Sequence, residues 1–147
     1  LPGIEDYNTK EIEGNEFYEG LDDNGQVKNI AFAAIGRGFQ SELRILVGMD
    51  TSMTRILSVN LLAQAETPGL GTRIASDPMS DNPHWFMSQF DSIKVANRNI
   101  DYVKNEEPDR EEAEIEAITG ATISSKSVVN IINKAIDNKR KLYKSGK

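Results

Sequence analysis

The apolar positions of this chain follow two rhythms: short runs between residues 16 and 64, and a spacing of three and four from residue 123 onward. "EFYEGL" (16–21) and "VKNIAFAAI" (27–35) flank "DDNG" (22–25). This arrangement predicts a β-hairpin, because Asn and Gly tolerate the positive φ that a tight turn demands. A second hairpin is predicted from "ELRILVGMD" (42–50) and "RILSVNLLAQ" (55–64), joined by "MDTSMT" and rich in branched side chains that suit a pleated surface. "AETPGLGTRIASD" (65–77), punctuated by Pro68, Gly69 and Gly71, reads as a loop. "NPHWFMSQF" (82–90) predicts a short helix opened by Asn82 with Pro83 at its first position, and Trp85, beside Phe86 and Phe90, is expected in the core. "AEIEAI" (113–118) is expected to run as a strand into "ITGATISS" (118–125). Beyond Ile123, the positions Val128, Val129, Ile132, Ala135 and Ile136 form one stripe of an amphipathic helix. The expected class is therefore α+β: an antiparallel-rich sheet of hairpins packed against a few helices, including a C-terminal amphipathic helix, in one domain over residues 1–147.

Composition removes several function classes. With 147 residues, 38% of them hydrophobic, the chain can bury one ordinary core. A net charge of −6 argues against a nucleic-acid partner, since affinity for a phosphate backbone comes from clustered Lys and Arg. The absence of cysteine excludes thiolate catalysis, Cys-ligated zinc, iron–sulfur clusters and disulfides. His84 is the only histidine, no G-x-S-x-G elbow accompanies it, and it is expected at the surface; no metal site and no catalytic residue are expected. Residues 105–116 hold seven acids and one arginine, a pattern expected of a solvated face. Asp22, Asp23 and Asn24 lack the glycine and glutamate spacing of a calcium loop. "GRG" (36–38) leads toward strand-like residues and so lacks the context of a dinucleotide site. Lys139, Arg140, Lys141 and Lys144 crowd the end of the predicted helix, where the helix dipole accounts for them. No run approaches the roughly 20 apolar residues of a membrane span, yet the chain starts at Leu1, so an upstream anchor is expected in the full-length protein.

The informative stretch is "ITGATISS". Helix capping needs a single hydroxyl and is worth about 0.5–2 kcal/mol, but here Thr119, Thr122, Ser124 and Ser125 surround Gly120 and Ala121. Small residues admit a close ligand, and a helix N-terminus with free amides suits an anion such as phosphate. "GATISSKS" (120–127) approximates a P-loop but puts Ser125 in place of its second glycine, and too little chain follows Lys126 to supply the remaining strands.

"TGAT" (119–122) with "ISS" after it, "ETPGLG" (66–71) and "RILVGMD" (44–50) together resemble the FMN-binding domain of the G subunit of Rnf electron-transport complexes. The corresponding C subunit in the sodium-translocating NADH:quinone reductase is similar. The resemblance extends from about residue 27 to about residue 140. It implies that Thr122 carries FMN through a phosphoester, with Thr119, Gly120, Ala121, Ile123, Ser124 and Ser125 around the phosphate. It further implies that the loop Glu66, Thr67, Pro68, Gly69, Leu70 and Gly71 lines the flavin ring. The chain departs from the pattern at Glu116, where the family usually has aspartate, and "LLAQA" lacks the histidine often found before the loop. The chain offers no base to activate a threonine, so maturation is expected to need a separate magnesium-dependent flavin transferase with FAD as donor. The implied role is an electron-carrier subunit rather than an autonomous enzyme, in a membrane-bound, ion-translocating redox complex. Its partners would be the other subunits, its anchor a single membrane span, and its FMN domain would lie on the extracytoplasmic side. A free-standing extracytoplasmic flavoprotein, or a regulatory module of the same fold, is the alternative.

Overall fold

A computed structural model describes residues 6–37, 42–63, 74, 81–82, 84–96 and 98–145. Five antiparallel strands run in sequence order across one sheet: β1 (Asp6–Ile12), β2 (Asn15–Leu21), β3 (Val27–Arg37), β4 (Glu42–Asp50) and β5 (Ile56–Ala63). A short helix α1 (Trp85–Ser88) follows, then β6 (Asp101–Val103), a 3-10 turn (Arg110–Glu112), β7 (Glu114–Glu116) and the long helix α2 (Thr122–Ser145). β6 and β7 pair in parallel, Tyr102 opposite Ile115. The α+β architecture expected from the hydrophobic rhythm is the one observed.

Both expected hairpins form, each by its own turn chemistry. Between β2 and β3, the Asp22 carboxylate accepts the amides of Asn24 and Gln26, both at 2.9 Å, while Gly25 takes φ +77°. Between β4 and β5, Asp50 accepts the amides of Thr54 at 2.8 Å and Arg55 at 3.1 Å. Burial pushes the Asp50 carboxyl upward, but those amides and the Ser52 and Thr54 hydroxyls outweigh it and hold the group below its ordinary value. β1 has no counterpart in the hydrophobic pattern, because "DYNTKEI" leaves all but its last residue exposed or half-exposed.

One face of the sheet carries Phe17, Ile30, Phe32, Leu43, Ile45, Val47 and Met49, all buried, and α2 lies against it with Val128, Val129, Ile132 and Ile136. Each such side chain is worth about 1.5–3 kcal/mol when fully buried, and no glycine or proline interrupts residues 122–145, so the stripe and the helix propensity agree. Phe86 and Phe90 are fully buried, whereas Trp85, expected in the core, is only half-buried at its edge. The expected helix over 82–90 shortens to four residues; Pro83 lies outside the described residues.

The basic end of α2 does more than answer a dipole. Arg140 donates to the carbonyls of Met53 and Val95, both at 3.0 Å, and Lys139 donates to Asn15 Oδ1 at 2.6 Å. Two turns earlier, Asn133 accepts the Ile100 amide at 2.8 Å and donates to the Ile100 carbonyl at 2.9 Å. The Tyr143 hydroxyl donates to the buried carboxylate of Glu19. α2 is thus tied to β2, to the β4–β5 turn and to the segment leading into β6.

Candidate functional site

β7 delivers the chain to Ile118, and the next four residues turn it into α2. The Ala121 amide donates to the Ile118 carbonyl at 2.9 Å, which closes a turn, and Gly120 takes φ +84° at its third position. That combination is a type II turn, in which the third residue needs positive φ and is therefore best a glycine. The sequence "TGAT" has its glycine where this geometry requires one.

Ser125 locks the turn to the helix. Its hydroxyl accepts the Ile118 amide at 3.0 Å and donates to the Ala121 carbonyl at 2.9 Å, and the residue is fully buried. Its side chain therefore serves the backbone of the motif from beneath. Ser124 is also buried, and Thr119, exposed, donates to Asn105 Oδ1 at 3.1 Å. We expect Ser125→Ala to lose roughly 1–2 kcal/mol, because it leaves the buried Ile118 amide without its acceptor. A denaturant titration showing less than a few tenths of a kcal/mol would contradict this.

Thr122 is the first residue of α2 and is half-exposed, while Ile123 beside it is 60% exposed. The first helical bond runs from the Ser125 amide to the Ala121 carbonyl at 3.0 Å. The amides of Thr122, Ile123 and Ser124 precede it and have no intrahelical acceptor. Gly120, exposed, and Ala121, buried, add no bulk in front of them. A phosphate placed here with its attached ring would meet amides that have no acceptor within the helix, the positive end of a 24-residue helix, a hydroxyl within the same turn and an exposed apolar side chain. These residues fit a flavin mononucleotide.

The motif is braced from a distance. Gln89, just after α1, accepts the Glu116 amide at 2.7 Å and donates to the Glu116 carbonyl at 2.9 Å. Asn105 holds Thr119 from the segment after β6, with its own φ at +55°. Sequence reasoning did not single out Gln89, Asn105 or Asn133; the first lies 27 residues from its partner, and no local pattern marks it. His84 is exposed, as expected, and residues 105–107 and 109–112 of the acidic stretch are exposed. Among the described residues no group of acids and histidines could hold a metal ion. The loop Glu66, Thr67, Pro68, Gly69, Leu70 and Gly71 lies outside the described residues.

The FMN-binding domain family matches residues 38–137. This chain belongs to that family. Its relatives include the G subunit of an ion-translocating oxidoreductase complex from Methanosarcina acetivorans, 30% identical over 82% of this chain and 56% of the relative. The C subunit of a Na(+)-translocating NADH-quinone reductase from Vibrio alginolyticus is 28% identical over 72% of this chain and 40% of its own length. The crystal structure of Shewanella oneidensis NqrC has the same fold, with a TM-score of 0.70 over 96% of this chain and 70% of that one at 18% identity. The family resemblance expected from "TGAT" and its companions thus holds, and the chain spans about half the length of the curated relatives it matches.

Proposed function

We propose that this chain is a covalent-FMN electron carrier of a membrane-bound, ion-translocating redox complex of the Rnf type, with the flavin esterified to Thr122. The observation that carries the reading is the half-exposed residue Thr122 at the first position of α2, presented by a glycine-dependent turn. The relatives named as subunits of ion-translocating oxidoreductase complexes support the assembly.

The residues divide the work. The leading amides of α2 hold the phosphate, Gly120 and Ala121 leave room for it, and Ile123 offers an apolar contact to the ring. The Ser125 bonds keep the turn from yielding when a transferase approaches. Attachment exchanges the Thr122 O–H bond for an oxygen–phosphorus bond; with FAD as donor the phosphoanhydride breaks and AMP leaves with the proton. Bound flavin supplies the capacity to accept and pass on electrons, and the protein supplies position. The loop at 66–71 covers the ring in this reading, and the remaining length of the full protein includes a single apolar anchor of about 20 residues, with the FMN domain on the extracytoplasmic side. Among the described residues no helix is long and apolar enough to cross a membrane.

A relay without a substrate site makes a direct prediction. The isolated flavinylated chain should be reduced by dithionite within mixing time, yet only very slowly by NADH, until partner subunits are added. Stopped-flow absorbance at the flavin band reads both. Rapid repeated turnover with NADH and a soluble acceptor, by this chain alone, would identify a self-sufficient reductase instead.

A further inference from the structure

Beyond the flavin site, β3 has an edge that no described strand covers along part of its length. β3 pairs with β4 all the way from Asn29 to Arg37, but on its other side β2 accompanies it only as far as Tyr18 opposite Ala31. The β1–β2 hairpin then diverges, and among the described residues no strand pairs with positions 33–37 on that side. Alternate residues there turn an amide and a carbonyl toward the gap. α2 does not fill it: between the strand and residues 127–139 of the helix runs a groove of about 570 Å³. A second hollow of about 410 Å³ continues it past Ile35 toward the tip of the β1–β2 hairpin. Gly36 keeps the groove narrow at its floor, since a Cβ there would fall 2.5 Å from Ile131 Cγ1.

The lining has a definite chemistry. Ile35, 50% exposed, and Ala135 give it apolar contact, and Asn130 gives it an amide. Among the described residues the charged groups lining the groove are Arg37, Lys134 and Lys139; Glu42 stands opposite Arg37 on β4, and Glu16 and Arg44 line the hollow that continues it, so cations outnumber carboxylates here on a chain whose net charge is −6. We propose that this groove is a docking site for an extended, acidic segment of a partner polypeptide, which adds as a strand to β3 at residues 33–37. Five strand residues span about 17 Å, enough for the alternate side chains of a short segment to contact α2 on one face and Ile35 on the other. A strand edge that no described strand pairs favours a polypeptide over a lipid surface, because a headgroup supplies charge but no ladder of donors and acceptors. The lining of the groove on α2 begins at Ser127 and does not include Thr122, so docking there is not expected to depend on flavin.

The test uses the 147-residue chain in two forms, flavinylated and Thr122→Ala, immobilised and panned with a displayed library of random dodecapeptides. Both forms should enrich sequences in which Asp or Glu alternates with β-branched residues. A synthetic peptide of the enriched sequence should slow amide exchange at 33–37, and N-methylation of its alternate amides should abolish binding. The double variant Arg37→Gln, Lys134→Gln, two exposed changes, should weaken binding about fivefold to tenfold without altering thermal stability. The proposal is overturned if no sequence is enriched, if the enriched peptides lack acids, or if N-methylated peptide binds equally well. It is also overturned if vesicles of phosphatidylglycerol and phosphatidylcholine displace the peptide and protect the same amides.

Discussion

Thr122→Ala is expected to abolish covalent flavin completely. Co-expressed with a flavin transferase, the unaltered chain should carry FMN less one water on the peptide that spans residues 119–126, and the variant should carry none. The variant should also lose its yellow colour on washing. One helix terminus contributes only about 0.3–1 kcal/mol to anion binding, whereas micromolar retention needs about 8 kcal/mol. Thr122→Ser should keep a fraction of the modification, since the hydroxyl is what reacts, while the fold is expected to tolerate both changes at this half-exposed position. Intact-mass spectrometry that finds the same flavin adduct in Thr122→Ala would remove Thr122 as the acceptor.

The largest effect on stability outside the "TGAT" motif is expected at the far end of the same helix. Glu19 is buried, and its carboxylate is held by the Tyr143 hydroxyl and by Asn8 Nδ2 at 3.2 Å. Tyr143→Phe keeps the ring, which packs 5.2 Å from that of Phe17, but deprives a buried carboxylate of one of these two donors. We expect a loss of about 1.5–3 kcal/mol, or roughly 4–10 °C in the midpoint of thermal unfolding. The sign of its pH dependence follows from the phenol. Burial, reinforced by the bond to Glu19, raises the Tyr143 pKa above its ordinary 10.0. The folded chain therefore holds this proton more tightly than the unfolded one, so the contribution is complete below pH 10 and declines as pH rises above it. The gap between the unaltered chain and Tyr143→Phe should narrow in that alkaline range. A gap that stays constant or widens there would show that the phenol is not the group responsible.

Much of the fold can be read from local chemistry. The "DDNG" and "MDTSMT" turns each place an aspartate where its carboxylate collects two nearby amides, so their hairpins are legible without tertiary information. The stripe from Val128 to Ile136 names its own buried face. β1 is not legible, because it is an exposed edge strand that takes its conformation from pairing with β2. The parallel pairing of β6 with β7 is hidden for another reason: each strand has three residues, and their partners are brought together by Asn133 and Gln89, from other elements. At the site, Gly120 and Thr122 stand out in the sequence, but the task of Ser125 does not. Its burial and its two bonds to the backbone of the turn emerge only from the fold.

The order of the strands has a kinetic consequence. Every pairing in the five-stranded sheet joins neighbours in sequence, whereas Lys139 and Tyr143 each meet a partner 124 residues away. Closing a loop of that length costs about 4 kcal/mol of chain entropy, against roughly 1.4 kcal/mol for a five-residue turn. The meander should therefore assemble early, with docking of α2 as the late, rate-limiting event. Substitutions in β3 and β4 should then slow folding, and Tyr143→Phe should chiefly speed unfolding; the opposite partition would place the helix in the nucleus. Because Ser125 belongs to that same helix, Thr122, the proposed acceptor, is set in its turn only when folding is nearly complete, and a transferase that reads the turn would modify finished molecules alone.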